Sequence, residues 1–156
     1  SQASSTSRSV FIAHFQKWIL YSLAAPNFTP SQVVNAMALN KLAPEEAAAY
    51  DAPYPSMVYK AAVRTYPSMV AAIEDQNASA WNALGKFRKP FLFLGGKHDL
   101  TGMGSETNQK KLTRHIPGAK GQSHERFDAG HFIQEDIGEI LATKIIRFLE
   151  ENPIET

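Results

Sequence analysis

Over about the first 85 residues, apolar side chains recur three to four positions apart; beyond Lys89, short continuous apolar runs alternate with amphipathic stretches. The first pattern predicts helices and connecting turns. Val10 to Leu23 carries Phe11, Phe15, Trp18 and Ile19 at helical spacing, and the stretch from Asn27 to Ser31 breaks it and caps a second helix over Gln32 to Asn40. Pro44 opens a short alanine-rich helix that ends before Pro53. Tyr59 to Arg64 and Met69 to Ile73 read as two short helices broken at Pro67, and Ala78 to Leu84 as another.

The second pattern predicts strand, helix, strand, helix. Pro90 to Gly95 is a continuous apolar run ending in glycine, as expected of a strand covered on both faces of a parallel sheet. A helix is expected from Glu106 to His115, with Ser105 as its N-cap, and a second strand from His124 to Asp128. Ile137, Ile140, Leu141, Ile145, Phe148 and Leu149 mark one face of a long last helix. The expected division is a helical segment over 1–85 and an α/β segment over 86–156, its two strands parallel neighbours.

Two strands do not make a stable sheet. Phe91, Leu92, Phe93 and Leu94 want cover on both faces and neighbours at both edges. The remaining strands are expected from an N-terminal segment, another chain or a swapped copy. The plainer alternative is a small helical domain with a two-stranded appendage. The polar, serine-rich start without methionine fits a chain that begins inside a longer gene product or follows processing.

Composition narrows the function classes. The 156 residues are 44% hydrophobic and 20% charged with a net charge of +1, which suits a soluble domain and offers no basic stripe for nucleic acid. The absence of cysteine excludes disulfides and thiolate chemistry and leaves the compartment open. A soluble protein, with the cytoplasm favoured, is the expectation, since no apolar run reaches the roughly 18 residues of a membrane span.

Two positions carry chemistry. Asp99, in Gly96-Lys-His-Asp99, follows the first predicted strand, and His131, in Asp128-Ala-Gly-His-Phe132, follows the second. Ligands of open parallel sheets bind beyond the carboxyl ends of the strands, where both residues fall. A histidine can take a proton from water near neutral pH, and a carboxylate at its other ring nitrogen fixes its tautomer. Acid before histidine is the chain order of α/β-hydrolases. Taken singly, a Gly-x-x-Asp is also an ordinary turn. A nucleophile is missing: no Gly-x-Ser-x-Gly or Gly-x-Asp-x-Gly occurs, and Gly102-Met-Gly-Ser-Glu106 has the wrong spacing and follows the acid. His14, His98, His115 and His124 read as structural and form no metal-ligating set.

Longer strings go beyond general pattern. Ala48-Ala-Tyr-Asp-Ala-Pro-Tyr-Pro55, Tyr59-Lys-Ala61 and Arg64-Thr-Tyr-Pro67 resemble the cap segment of haloalkane dehalogenases. Ile116-Pro-Gly-Ala-Lys-Gly-Gln-Ser-His124 and Asp128-Ala-Gly-His-Phe-Ile-Gln-Glu-Asp136 resemble the stretch around their catalytic histidine. The resemblance runs from Phe15 to Leu149. It implies the C-terminal portion of an α/β-hydrolase fold: a helical cap plus the last two parallel strand–helix units.

The resemblance also implies roles. His131 matches the family's base and Asp99 its triad acid, although the turn there differs by about one residue and carries an unusual His98. Phe15-Gln-Lys-Trp18 matches a Phe-x-x-Trp element whose indole N–H donates to the departing halide; read without the resemblance, Trp18 is a core residue packing with Phe11 and Phe15. The nucleophilic aspartate, the oxyanion hole and the second halide donor lie outside this chain. The implied reaction passes through an alkyl-enzyme ester hydrolysed by water that His131 activates, with no metal or organic cofactor and a small haloalkane or related molecule as substrate. This chain by itself is then expected to be inactive. Rival readings are an epoxide or ester hydrolase on the same scaffold, and a non-catalytic piece acting as a folding or interaction module.

Overall fold

The structure, a computed structural model, describes residues 15–71 and 74–153. Helix α1 occupies residues 15–24 of the described chain; the earlier part of the expected first helix, with Phe11 and His14, lies outside it. Its end is closed by Arg64, whose guanidinium donates to the carbonyls of Ala25 (2.7 Å) and Leu23. A cation on the last carbonyls of a helix satisfies acceptors that lack intrahelical partners. The same guanidinium lies 5.9 Å from the ring centroid of Phe28, which is 3% exposed and anchors the helical segment.

Helix α2 runs from Pro30 to Met37 and α3 from Pro44 to Asp51. Both begin with proline, which costs nothing at a position where the N–H has no partner anyway. They are tied by Asp51, whose carboxylate accepts from the Ser31 N–H (3.0 Å) and hydroxyl (2.6 Å). Ser31 is buried, so the carboxylate satisfies two donors that burial would otherwise strand.

A 3-10 turn, Met57–Lys60, leads into α4, Ala61–Ala71, and α5 spans Glu74–Leu84. The break expected at Pro67 is absent: α4 continues through it. An interior proline costs about 3 kcal/mol through the lost hydrogen bond and ring clash. Pro67 is nevertheless buried, and burial of its ring offsets part of that cost.

The α/β part contains β1 (Leu94–Gly96), α6 (Glu106–His115), a 3-10 turn (Pro117–Ala119), β2 (Glu125–Phe127) and α7 (Ile133–Glu151). β1 and β2 pair in parallel, Leu94 opposite Glu125 and Gly96 opposite Phe127. The first strand begins at Leu94 rather than the expected Pro90. Ahead of it the Phe91 N–H goes to Gly118 O (3.0 Å) and the Phe93 N–H to the ring nitrogen Nδ1 of His124 (3.1 Å), so the backbone is satisfied outside a ladder. Ser105 caps α6 as expected, accepting from the Asn108 N–H. Phe93, Ile116, Ala119, Phe127 and Ala129 form the core beneath the strands.

That core is one-sided. Among the described residues β1 pairs with β2 alone. On α7 no residue is buried, and Ile140, Ile145, Ile146 and Leu149 are each 43% to 56% exposed. Among the described residues, an apolar helix face of that size beside a two-stranded sheet with both outer edges free lacks the second layer such elements are built to meet. No helix among the described residues is long and apolar enough to cross a membrane.

Candidate active site

Past its last paired residue, β1 stays joined to the segment after β2: the Lys97 N–H donates to Phe127 O (2.8 Å) and the His98 N–H to Ala129 O (3.0 Å). Contact there is so close that a Cβ at Gly96 would lie 2.0 Å from Gly130 O and 2.4 Å from Ala129 O. The two strand ends therefore deliver Asp99 and His131 to the same rim. His131 Nδ1 lies 3.0 Å from Asp99 Oδ1. The acid's side chain is 4% exposed and the imidazole 26%.

Asp99 is held by more than the imidazole. Its Oδ1 also accepts from the Thr101 N–H (2.8 Å) and hydroxyl (2.7 Å), and its Oδ2 from the Gly104 N–H (2.7 Å). Burial pushes the Asp99 carboxyl up; the Thr101 hydroxyl, the N–H groups of Gly104 and Thr101 and the charge of His131 together outweigh it and hold the carboxyl below its ordinary value. It stays ionised as a fixed acceptor. With Nδ1 directed at Asp99, the ring's other nitrogen, Nε2, has no hydrogen-bond partner among the described residues and can accept a proton. Phe132 covers one side of the ring edge-on, 5.0 Å between centroids.

His131 is fixed through its backbone as well. Its N–H donates to Met37 O (2.8 Å), at the end of α2. The Gly130 N–H donates to Asp136 Oδ2 (2.7 Å), and the same carboxylate accepts from Leu39 N (3.0 Å) and Asn40 N (2.7 Å). Burial raises the Asp136 carboxyl, but these three donors prevail and lower it.

A pH dependence follows. A carboxyl lowered in the folded state releases its proton more readily there than in the unfolded chain, so its contribution to stability is complete above the ordinary value near 3.8 and is lost as pH falls through the folded value. Urea midpoints are expected to be level from pH 6 to about pH 5 and to fall steeply below about pH 4. Asp136→Asn should flatten that acid limb.

Trp18 belongs to another group. Its ring lies 5.9 Å from Tyr21 and 6.2 Å from Phe28, half-buried in the aromatic cluster of the helical segment. The structure thus brings Asp99 and His131 into contact and places Trp18 in an aromatic cluster with Tyr21 and Phe28. Of the other histidines, His115 stacks on Trp81 (3.8 Å) and bonds its carbonyl, and His124 accepts from Phe93 and contacts Ala119 O. Exposed His98 makes a 2.5 Å contact with Asp128 on the surface. Among the described residues no three His, Asp or Glu side chains are grouped to hold a metal ion. Sequence reasoning overlooked Thr101 and Asp136. An Asp-x-Thr after a strand end signals a side-chain-closed turn and could have flagged Thr101; for Asp136 the local signal is an acid in the first turn of the last helix, six residues past Gly130.

No family model matches the chain. Proteins named haloalkane dehalogenase do. One from Mycobacterium marinum is 40% identical over 138 residues, covering 85% of this chain and 45% of its own length. One from Psychrobacter cryohalolentis is 35% identical over 145 residues, 89% and 47%, and one from Mycolicibacterium paratuberculosis is 36% identical over 137 residues, 85% and 44%. This chain therefore spans a little under half the length of these relatives. With helices ahead of a small parallel sheet and an acid–histidine pair at its rim, the chain is a homologue of part of the haloalkane dehalogenases and fits the C-terminal part of an α/β-hydrolase fold.

Proposed function

We propose that this chain supplies the base and its supporting acid to a hydrolase that cleaves carbon–halogen bonds. Residues 1–85 serve as its helical cap and 86–156 as the last part of its core. The observation that carries the reading is the 3.0 Å contact of Asp99 with Nδ1 of His131, with Nε2 left available beyond two parallel strands. The relatives' names supply the bond that is broken.

In the first step a carboxylate from outside this chain attacks the carbon bearing the halogen; a C–O bond forms, the carbon–halogen bond breaks, and halide leaves with the electron pair. The indole N–H of Trp18 donates to that halide as charge develops on it. In the second step His131 Nε2 takes a proton from water while the water oxygen attacks the ester carbonyl. The alcohol departs with the proton that His131 returns, the carboxylate is regenerated, and the second water proton goes to solvent. Asp99 keeps Nδ1 protonated and stabilises the transient imidazolium.

Halide release separates this reading from its rivals. The purified chain is expected to give none, because water activation achieves nothing without an ester to attack. Joined to the N-terminal half of a related dehalogenase, it should turn over haloalkanes, and His131→Gln should abolish this. Trp18→Phe should slow haloalkanes and leave esters unaffected. Turnover by the chain alone, or none from a folded assembly, would overturn the proposal; ester cleavage without halide release would assign the site to an esterase.

A further inference from the structure

We infer that Asp136 is a positioning residue for His131: one carboxylate sets where the histidine loop sits against the helical segment and, through it, keeps the ring on Asp99. The inference rests on the reading of His131 as the base.

The geometry is specific. Asp136 lies in the first turn of α7, beyond the loop that carries His131. Its Oδ2 accepts from the N–H of Gly130, the residue before the histidine, and from Leu39, while Oδ1 accepts from Asn40. The donors at 39 and 40 lie just past the end of α2, where Ala38 has already turned extended. Without Asp136 these N–H groups would lose their acceptor, as would the one at 130. The next N–H along the chain, that of His131 itself, reaches Met37 O at 2.8 Å. A Cβ on Gly130 would meet Met37 O at 2.4 Å and Leu39 N at 2.8 Å, so the two backbones touch with no side chain between them. The backbone leading into the Cα of His131 is therefore held against one short segment, residues 37–40, with the Asp136 carboxylate bridging the two.

The consequence reaches the ring through χ1 and χ2 alone. With the backbone at 130 and 131 pinned, the ring reaches Asp99 at 3.0 Å. Once the backbone is released, the ring samples positions in which Asp99 no longer holds Nδ1–H. Groups that orient a histidine from behind act in this way on its tautomer. Glu135 strengthens the same junction, since its Oε1 accepts from the Tyr50 hydroxyl of α3 at 2.5 Å.

The test is spectroscopic and uses the 156-residue chain. Ring nitrogen shifts of the neutral His131 imidazole report the share of Nδ1–H and Nε2–H forms. The Nδ1–H form should dominate in the parent. In Asp136→Ala and the isosteric Asp136→Asn the Nε2–H share should rise roughly twofold or more, and exchange of the Nδ1 proton should quicken by about tenfold, with the circular dichroism unchanged. A general loss of stability would not move the tautomer within the folded population. Folded variants that keep the parent's tautomer balance would overturn the inference, and so would an Asp136→Asn chain that does not fold, since the carboxylate would then be supporting the whole chain. A parent chain in the Nε2–H form would refute the base reading itself.

Discussion

Asp99→Asn in the proposed hydrolase, assembled with its N-terminal half, is expected to lower the rate of halide release under steady turnover by on the order of 10³ to 10⁴. The reason lies in how full the acid's coordination is. Oδ2 must accept from the Gly104 N–H, and Oδ1 from the Thr101 N–H and hydroxyl as well as from His131. A carboxamide has one accepting oxygen. With that oxygen on Gly104, its NH₂ faces the Thr101 N–H and the imidazole, and Nδ1 becomes an acceptor. The ring proton then moves to Nε2, the atom that has to take a proton from water. Turning the amide over leaves the Gly104 N–H facing NH₂. Neither orientation keeps both the turn and the base. The defect should appear in ester hydrolysis, so the alkyl-enzyme should accumulate and a burst of halide should survive. A single-turnover measurement that shows the burst lost along with the steady rate would contradict this division of labour.

The second large effect is on stability. Gly96→Ala would put a methyl group 2.0 Å from Gly130 O, 2.4 Å from Ala129 O and 2.9 Å from Ala129 C, all backbone atoms that cannot rotate away. Overpacking typically costs 1–3 kcal/mol, and a clash with main chain belongs at or above the upper end, about 3 kcal/mol. The cost would show as a lower urea midpoint at unchanged slope. Gly138→Ala is the matched control. Nothing lies within 4 Å of a Cβ there, and the position follows the kink of α7 at Ile137, at the start of its longer straight part. Alanine there should leave the midpoint level or raise it slightly. Equal midpoints for the two variants would mean that the strand ends are not in close contact.

What the sequence made legible follows from how local each signal is. Asp99 and His131 could be singled out because each follows an apolar run and stands where parallel strands present side chains to a ligand. Asp136 has one donor six residues back, at Gly130, but its other two are 96 and 97 residues away, and no short window along the chain contains them. Local rules make Pro67 a helix break because they count its lost hydrogen bond and cannot count its burial. The apolar stripe on α7 was visible as a pattern; that it stays exposed depends on which neighbours are present. For Trp18 the spacing alone could not separate a packing residue from a halide donor, and its place beside Tyr21 and Phe28 is compatible with both.

Asp99 and His131 follow adjacent parallel strands, and residues 37–40 and Asp136 brace the histidine loop from the other side, so their contact is settled within this chain. In the proposed hydrolase, docking of the segment that brings the nucleophile would then be a rigid join onto a preformed acid–histidine pair. Recovery of function on mixing the two pieces should be limited by encounter, with a rate that scales with the concentration of the piece in excess.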